Sequence, residues 1–285
     1  MSANASSFPL PSRLSQPAPP RVAILIPAHE PGETLEYLID SLIEAEVPAI
    51  IVVDDGSRAV HRRVFERIAH LPSVHVLRQT QDRGKGMALK TGMRYFLEHF
   101  SHYTGLVTMD AEGQHCADDV LRVARTLHKA PRLAILGARS FSGLRRGDLK
   151  GRISRSRLLG NRLMAFLFRA FTGVPLSDAQ TGLRGLPTSL LPRLLDLPGS
   201  RYEYEMAMLL HIARSGHPLA EQPVRMVSDA ENAGSQFRPV IDSARVICAM
   251  LTARQPQQWT LEVETTADPM PDAKGASQPH KLHAK

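Results

Sequence analysis

The sequence predicts an α/β fold with a doubly wound, mostly parallel central sheet and helices on both faces. Three observations carry that expectation. Short apolar runs alternate with stretches of helical periodicity from residue 22 to residue 136. The runs are continuous blocks of Val, Ile, Leu and Ala, the pattern of buried strands. They recur at a spacing of roughly 25–30 residues, which leaves room for right-handed crossovers between parallel strands.

The first run is Val22-Ala23-Ile24-Leu25-Ile26, closed by Pro27. Residues 33–45 follow as an amphipathic helix, with Leu35, Leu38, Ile39, Leu42 and Ile43 on one face. The pattern then repeats: strand 49–53 and helix 58–70, strand 74–77 and helix 85–100, strand 105–109 and helix 117–129, and strand 133–136. Beyond it the chain is less regular. Residues 139–160 are polar, basic and rich in Gly and Ser; 158–171 form a strongly apolar helical stretch; 172–175 are a turn. A helix at 203–215, a strand at 219–227 and a helix at 240–253 complete the ordered part. Residues 1–20, rich in Ser, Ala and Pro, and residues 254–285, with little apolar periodicity, are expected to be disordered arms.

Composition narrows the chemistry. The two cysteines, Cys116 and Cys248, exclude a disulfide scaffold and a cysteine-built zinc site. The longest apolar runs fall far short of the ~20 residues of a membrane-spanning helix. The 285 residues carry a formal charge of +7, and that excess is local. Residues 139–169 hold Arg139, Arg145, Arg146, Lys150, Arg152, Arg155, Arg157, Arg162 and Arg169 against Asp148 alone. The rest of the chain is close to neutral, so the cationic segment points to a diphosphate, a lipid phosphate or an anionic membrane.

Open α/β sheets bind ligands beyond the carboxyl ends of their strands, and the unusual polar residues fall there. The five strands lead into Pro27-Ala28-His29-Glu30, Asp54-Asp55-Gly56-Ser57, Asp82-Arg83-Gly84-Lys85-Gly86, Asp110-Ala111-Glu112-Gly113-Gln114-His115 and Gly137-Ala138-Arg139. Each alone reads as a turn or a helix cap; five on one edge read as a site. The phosphate loop of nucleotide hydrolases, the three-glycine dinucleotide fingerprint, His-Glu-x-x-His and Gly-x-Ser-x-Gly are all absent. Carboxylates two apart after a strand suit a hard divalent cation, which itself binds phosphate oxygens. Asp54 and Asp55 offer acceptors to a base or ribose, and Lys85 sits on a glycine-flanked loop within reach of a phosphate.

These motifs, with Ser177-Asp178-Ala179-Gln180-Thr181-Gly182-Leu183-Arg184-Gly185 and Arg201-Tyr202-Glu203-Tyr204-Glu205, resemble the inverting family 2 glycosyltransferases of the GT-A fold. The branch most similar to them is the dolichyl- or polyprenyl-phosphate sugar synthases, and the resemblance spans 21–253. It implies a nucleotide-binding half at 21–139 and an acceptor half at 140–253. It implies a UDP- or GDP-sugar donor, with Pro27, Ala28, Glu30, Asp54, Asp55, Lys85 and Asp110 at the nucleotide. Asp110, Glu112 and Gln114 match a motif that holds Mg²⁺ or Mn²⁺. Asp178 matches the acid usually assigned as general base, and Arg139 and Arg184 would face phosphates. Arg201, Glu203, Gln236 and Arg238 are further candidates for phosphate or acceptor contacts.

Two positions depart from the family pattern. Glu112 stands where Asp is usual, and Gln236 where His is frequent. Two readings follow: a metal-assisted glycosyltransferase acting on polyprenyl phosphate or a glycan hydroxyl, and a nucleotide-sugar-binding or regulatory protein of the same fold with weak or no turnover. The 158–171 helix also has two readings. It is a core helix with one solvated face, or an interfacial helix on the cytoplasmic face of an anionic membrane, with Arg155, Arg162 and Arg169 as its stripe. Nucleic acid is not expected as a partner, because the sheet-edge acids would repel its backbone.

Overall fold

The computed structural model describes residues 20–113, 115–139, 155–225 and 245–248, with 155–159 by backbone alone. The expected arms, the 140–154 part of the basic segment, Gln114, Gln236 and Arg238 lie outside the described residues, as does most of the expected 240–253 helix. The strands are β1 (Val22–Ala28), β2 (Ile50–Asp54), β3 (Val74–Arg78), β4 (Gly105–Thr108), β5 (Ala134–Arg139), β6 (Arg184–Pro187) and β7 (Leu219–Val224). The helices are α1 (Thr34–Glu44), α2 (Arg62–Ala69), α3 (Lys85–Phe100), α4 (Ala117–Lys129), α5 (Arg155–Thr172), α6 (Leu191–Leu195) and α7 (Glu203–Arg214).

Among the described residues these strands form one sheet in the order β3-β2-β1-β4-β6-β5-β7. All pairings are parallel except those of β6, which runs against both β4 and β5. β6 and the short α6 had no counterpart in the sequence reading. Arg-Gly-Leu-Pro has neither an apolar run nor an alternation to announce a strand, and only its place between β4 and β5 makes it one.

The period-two rule sorts the strand residues onto two faces. Val22, Ile24 and Ile26 of β1 join α1, α2 and α4 in one core; Ala23 and Leu25 join α3, α6 and α7 in the other. A third cluster seats Met164 and Phe168 of α5 against Met206, Leu209 and Leu210 of α7. Each large apolar side chain buried this way contributes about 1.5–3 kcal/mol. Pro27 sits inside a central strand at no cost in hydrogen bonds. Ile24 donates towards β2 and Leu25 accepts from Met109, so the group that Pro27 lacks would face β4, whose ladder with β1 ends at Leu25.

The α5 helix packs one face into the core, as the first of its two readings expects, and leaves apolar side chains on its solvated face. Met164 and Phe168 are buried, while Leu163 and Phe166 are 52% and 68% exposed beside the exposed Arg162 and Arg169. No helix among the described residues is long and apolar enough to cross a membrane.

The turn after β2 shows why glycine is required at position 56. Gly56 has φ +69°, and a Cβ there would overlap the backbone of Gln81 and Asp82. Neither the angle nor the overlap can be relieved by a side-chain rotation. Gly56→Ala is expected to destabilise the protein by about 2–3 kcal/mol, through left-handed strain plus overpacking. Urea unfolding would show this as a lower midpoint with an unchanged slope.

Candidate active site

Strand order reverses direction at β1: β2 and β3 extend the sheet to one side, and β4 begins the other. Crossovers leaving β1 and β4 therefore part, opening a crevice at their carboxyl ends. Because β6 is antiparallel, its beginning lies at that edge. The segment from Ser177 to Arg184 thus reaches the same place as the ends of β1, β2, β4 and β5.

On the β1–β2 side the acids are tied into the turn. Asp54 accepts from Ser57 N at 2.8 Å and pairs with Arg78 Nε at 3.4 Å. Asp55, also buried, accepts from Arg83 N at 2.9 Å, which fastens the Gly84-Lys85 loop to β2. Burial raises the Asp55 pKa above the usual carboxylate range, against the pull of the Arg83 and Gly84 amides. His29 Nδ1 lies 2.7 Å from Asp55 O, and the Glu30 amide donates to Ser57 Oγ at 2.8 Å. The Glu30 carboxylate accepts from Arg58 Nε and, at 2.9 Å, from Arg58 Nη2, and that contact lowers its pKa.

At the centre, the Lys85 ammonium bridges two carboxylates, 2.6 Å from Asp110 Oδ1 and 2.8 Å from Glu205 Oε2. Tyr202 lies alongside, its ring centroid 5.7 Å from Nζ. Burial alone would push the Lys85 pKa down, but Asp110 and Glu205 outweigh it and hold the group above its ordinary value. Behind Asp110 stands Gly182, where any Cβ would overlap the carboxylate.

On the β5 side, Arg139 Nε lies 2.6 Å from Asp178 Oδ2 and Arg139 Nη2 lies 3.0 Å from Oδ1, a bidentate pair. The Asp178 side chain is 0% exposed and that of Arg139 25%, so the acid lies behind and the guanidinium in front. Glu221 of β7 fixes this loop by accepting from the amides of Ser177 at 2.8 Å and Asp178 at 3.1 Å. Arg184 lies beneath, only 2% exposed, donating to Thr181 O at 3.0 Å and to Glu205 O. In this arrangement it ties the start of β6 to α7.

The donor set fits a hard divalent cation. Asp110 and Glu112 would offer it carboxylate oxygens, and the Glu112 pKa is pushed up to about 7 by burial and by the neighbouring Asp110 charge. His115, 2% exposed, has neither ring nitrogen hydrogen-bonded. No three His, Cys, Asp or Glu groups among the described residues stand close enough to enclose an ion by themselves. That set suits an ion that takes much of its coordination from phosphate oxygens and water, as Mg²⁺ does.

Arg201 is partly exposed, 3.4 Å from Asp82 Oδ2, and Glu203 caps the α7 entry by accepting from Ser200 N at 2.9 Å and Arg201 N at 3.1 Å. Glu205 and Glu221 were given no role from sequence. Glu205 lies in the Arg201–Glu205 motif, but its partner Lys85 is 120 residues away in sequence and is brought near by the packing of the Gly84–Gly86 turn on residues 200–204.

A mostly parallel seven-stranded sheet with one reversed strand, and carboxylates and cations gathered at its carboxyl edge, is the arrangement of a GT-A fold. The chain belongs to glycosyl transferase family 2, whose family model matches residues 23–191. It is similar to undecaprenyl-phosphate mannosyltransferase of Micrococcus luteus, 30% identical over 73% of this chain and 84% of that one. Polyprenol monophosphomannose synthase of Mycolicibacterium smegmatis is 26% identical over 76% and 83%. UDP-N-acetylglucosamine–dolichyl-phosphate N-acetylglucosaminyltransferase of Methanococcus voltae is 23% identical over 72% and 85%. Among solved structures, glucosyl-3-phosphoglycerate synthase from Mycobacterium tuberculosis in complex with Mn²⁺, UDP and glucosyl-3-phosphoglycerate shares the fold. Its TM-score is 0.57 and its identity 20%, over 81% of this chain and 78% of that one. The protein is a glycosyltransferase in the polyprenyl-phosphate sugar synthase-like branch.

The raised Glu112 pKa carries a pH signature in metal-free protein. The folded state holds a proton that the unfolded chain releases near 4.5, so the associated stability is full below that value and lost as pH rises through about 7. In EDTA, Glu112→Gln is expected to melt higher than the wild type at pH 8 and to converge with it in acid. Parallel melting curves across the window would refute the assignment.

Proposed function

We propose that this glycosyltransferase moves a sugar from a UDP- or GDP-sugar onto the phosphate of a polyprenyl phosphate, with inversion at the anomeric carbon. The observation that carries the choice of acceptor is the Asp178–Arg139 pair. A glycan hydroxyl must lose a proton as it attacks, and the acid at the base position would have to leave Arg139 to take it. Asp178 is wholly buried with both oxygens engaged. A phosphate acceptor is already an anion and needs no base. The names of the three relatives, each containing a polyprenyl, dolichyl or undecaprenyl carrier, support the same class.

In this reading Glu30 and Asp55 border the nucleotide, and Lys85 meets the diphosphate. Asp110 and Glu112, joined by Gln114, would hold Mg²⁺ or Mn²⁺. That ion, when bound, supplies positive charge against the charge developing on the departing diphosphate. Arg139, oriented by Asp178, presents its guanidinium to a phosphate group, where a planar fork suits bidentate contact. The acceptor oxygen forms its bond to the anomeric carbon as the bond to the diphosphate breaks, and the nucleoside diphosphate leaves. The exposed apolar face of α5, flanked by Arg162 and Arg169, would rest on an anionic bilayer at its cytoplasmic face and bring the site to a lipid acceptor.

A donor screen tests the reading. UDP- and GDP-sugars with Mn²⁺ are offered polyprenyl phosphate, the unphosphorylated polyprenol and a free glycan, with products identified by mass spectrometry. Sugar is expected on polyprenyl phosphate alone. In the same assay Asp178→Asn is expected to raise the acceptor KM about tenfold with a smaller loss in kcat, since Arg139 loses its orienting partner. A kcat loss of about 10²–10⁴ at unchanged KM would mark Asp178 as a general base and overturn the acceptor assignment. For the membrane contact, Phe166→Asp is expected to reduce co-sedimentation with anionic liposomes at low salt while leaving the melting temperature unchanged. Equal recovery with the wild type would sink that part.

A further inference from the structure

Lys85 occupies a position with a consequence for cation binding. Its ammonium sits 2.6 Å from Asp110 Oδ1, an oxygen of the carboxylate assigned above to the divalent ion. Two cations cannot share one carboxylate oxygen at such distances without strong mutual repulsion in a partly buried site. Asp110 is hemmed in on one side by Gly182, where a Cβ would overlap its Oδ2. Glu205 is also anchored: Arg184 donates to its carbonyl from below, and it belongs to the first turn of α7. The long Lys85 side chain is therefore the element free to move. It has a second anchor in Glu205 at 2.8 Å and an aromatic face in Tyr202 beside it.

We propose that Lys85 is a resident counter-ion that keeps divalent metal off Asp110 until a nucleoside diphosphate draws the ammonium onto its own phosphate oxygens, with Glu205 as the pivot on which it swings. The proposal deepens the functional reading and rests on Asp110 as a metal carboxylate. The buried, unpartnered His115 beside the same carboxylate is an independent sign that the cluster is incomplete without a ligand. Metal and nucleotide then bind with positive coupling. Each removes an obstacle to the other: the diphosphate vacates Asp110 oxygen, and the ion replaces the charge that Lys85 took away.

The test is calorimetric titration of Mn²⁺ alone into wild type, Lys85→Met and Lys85→Arg, each shown to be folded by circular dichroism. Lys85→Met is expected to bind Mn²⁺ about tenfold or more tightly than wild type, because a competing charge is gone. Lys85→Arg, which keeps a cation there, is expected to stay near the wild-type affinity. Mn²⁺ binding to Lys85→Met that is no tighter than to wild type overturns the proposal. A second measurement needs no variant. Acetylation of Lys85 in wild type, read by peptide mass, is expected to rise severalfold at saturating Mn²⁺, and an unchanged rate overturns the proposal equally. Both use metal without nucleotide, so failure to bind UDP or GDP would refute the donor assignment and leave these comparisons intact.

Discussion

A charge taken out of water is tolerable only when it is paired, and that constraint organises the whole carboxyl edge of this sheet. Asp54, Asp55 and Asp178 are all but inaccessible to solvent, yet each has its partner: the Ser57 amide and Arg78, the Arg83 amide, and Arg139. Apart from the local Ser57 contact, these pairs join segments 24 or more residues apart, so satisfying the acids also fixes the loops. Removing Arg139 would cost about 3–5 kcal/mol, because the wholly buried Asp178 would be left unmatched. The edge is therefore rigid for the same reason that it is charged. Among the described residues, Asp55 and Glu112 have no cation paired directly with them, and burial raises the pKa of both, with the Asp110 charge adding to the rise at Glu112.

The reversed strand makes this pairing possible. With β6 antiparallel, the loop carrying Asp178 arrives at the ligand edge between β4 and β5, where Arg139 ends β5. Had β6 run parallel to its neighbours, that loop would lie at the opposite edge, and neither Arg139 nor Asp178 would have a buried counterpart. Glu221 completes the arrangement from β7 by holding the amides of Ser177 and Asp178. Three strands thus cooperate to present one guanidinium.

Much of this was legible in the sequence, and what was not has definable causes. The bounds of α3 and α4 follow from local periodicity, since each helix carries its own apolar stripe in the sequence. The strand-end acids were legible as a group because chain order and parallel topology together put them on one edge. Their separate tasks were not. Asp54 and Asp55 are adjacent and alike in type, but neighbouring residues at a strand end point to opposite sides, so one meets Arg78 and the other the Arg83 amide. β6 was illegible because four residues carry too little pattern, and Glu205 because its meaning depends on a contact with Lys85 made only by the folded chain. The double character of α5 is similar: the sequence shows an apolar helix with arginines, and only packing against α7 tells which apolar residues remain outside.

The two central ion pairs share a chemical form but differ in depth, and depth separates what they can do. Asp178 is sealed beneath Arg139, so an arriving phosphate meets the guanidinium without displacing the acid; the pair adds a ligand and keeps its geometry. Lys85 is held by two carboxylates on a flexible stem, so an arriving diphosphate can take the place of one while Glu205 keeps the other end tethered. Replacing one anion by another around a preformed cation requires little reorganisation of the surrounding dipoles, which is the condition for strong electrostatic stabilisation at the moment charge develops. On the proposed function, a site built this way favours substrates that bring negative charge on both sides of the reacting carbon, which a phosphorylated lipid does and a neutral hydroxyl does not.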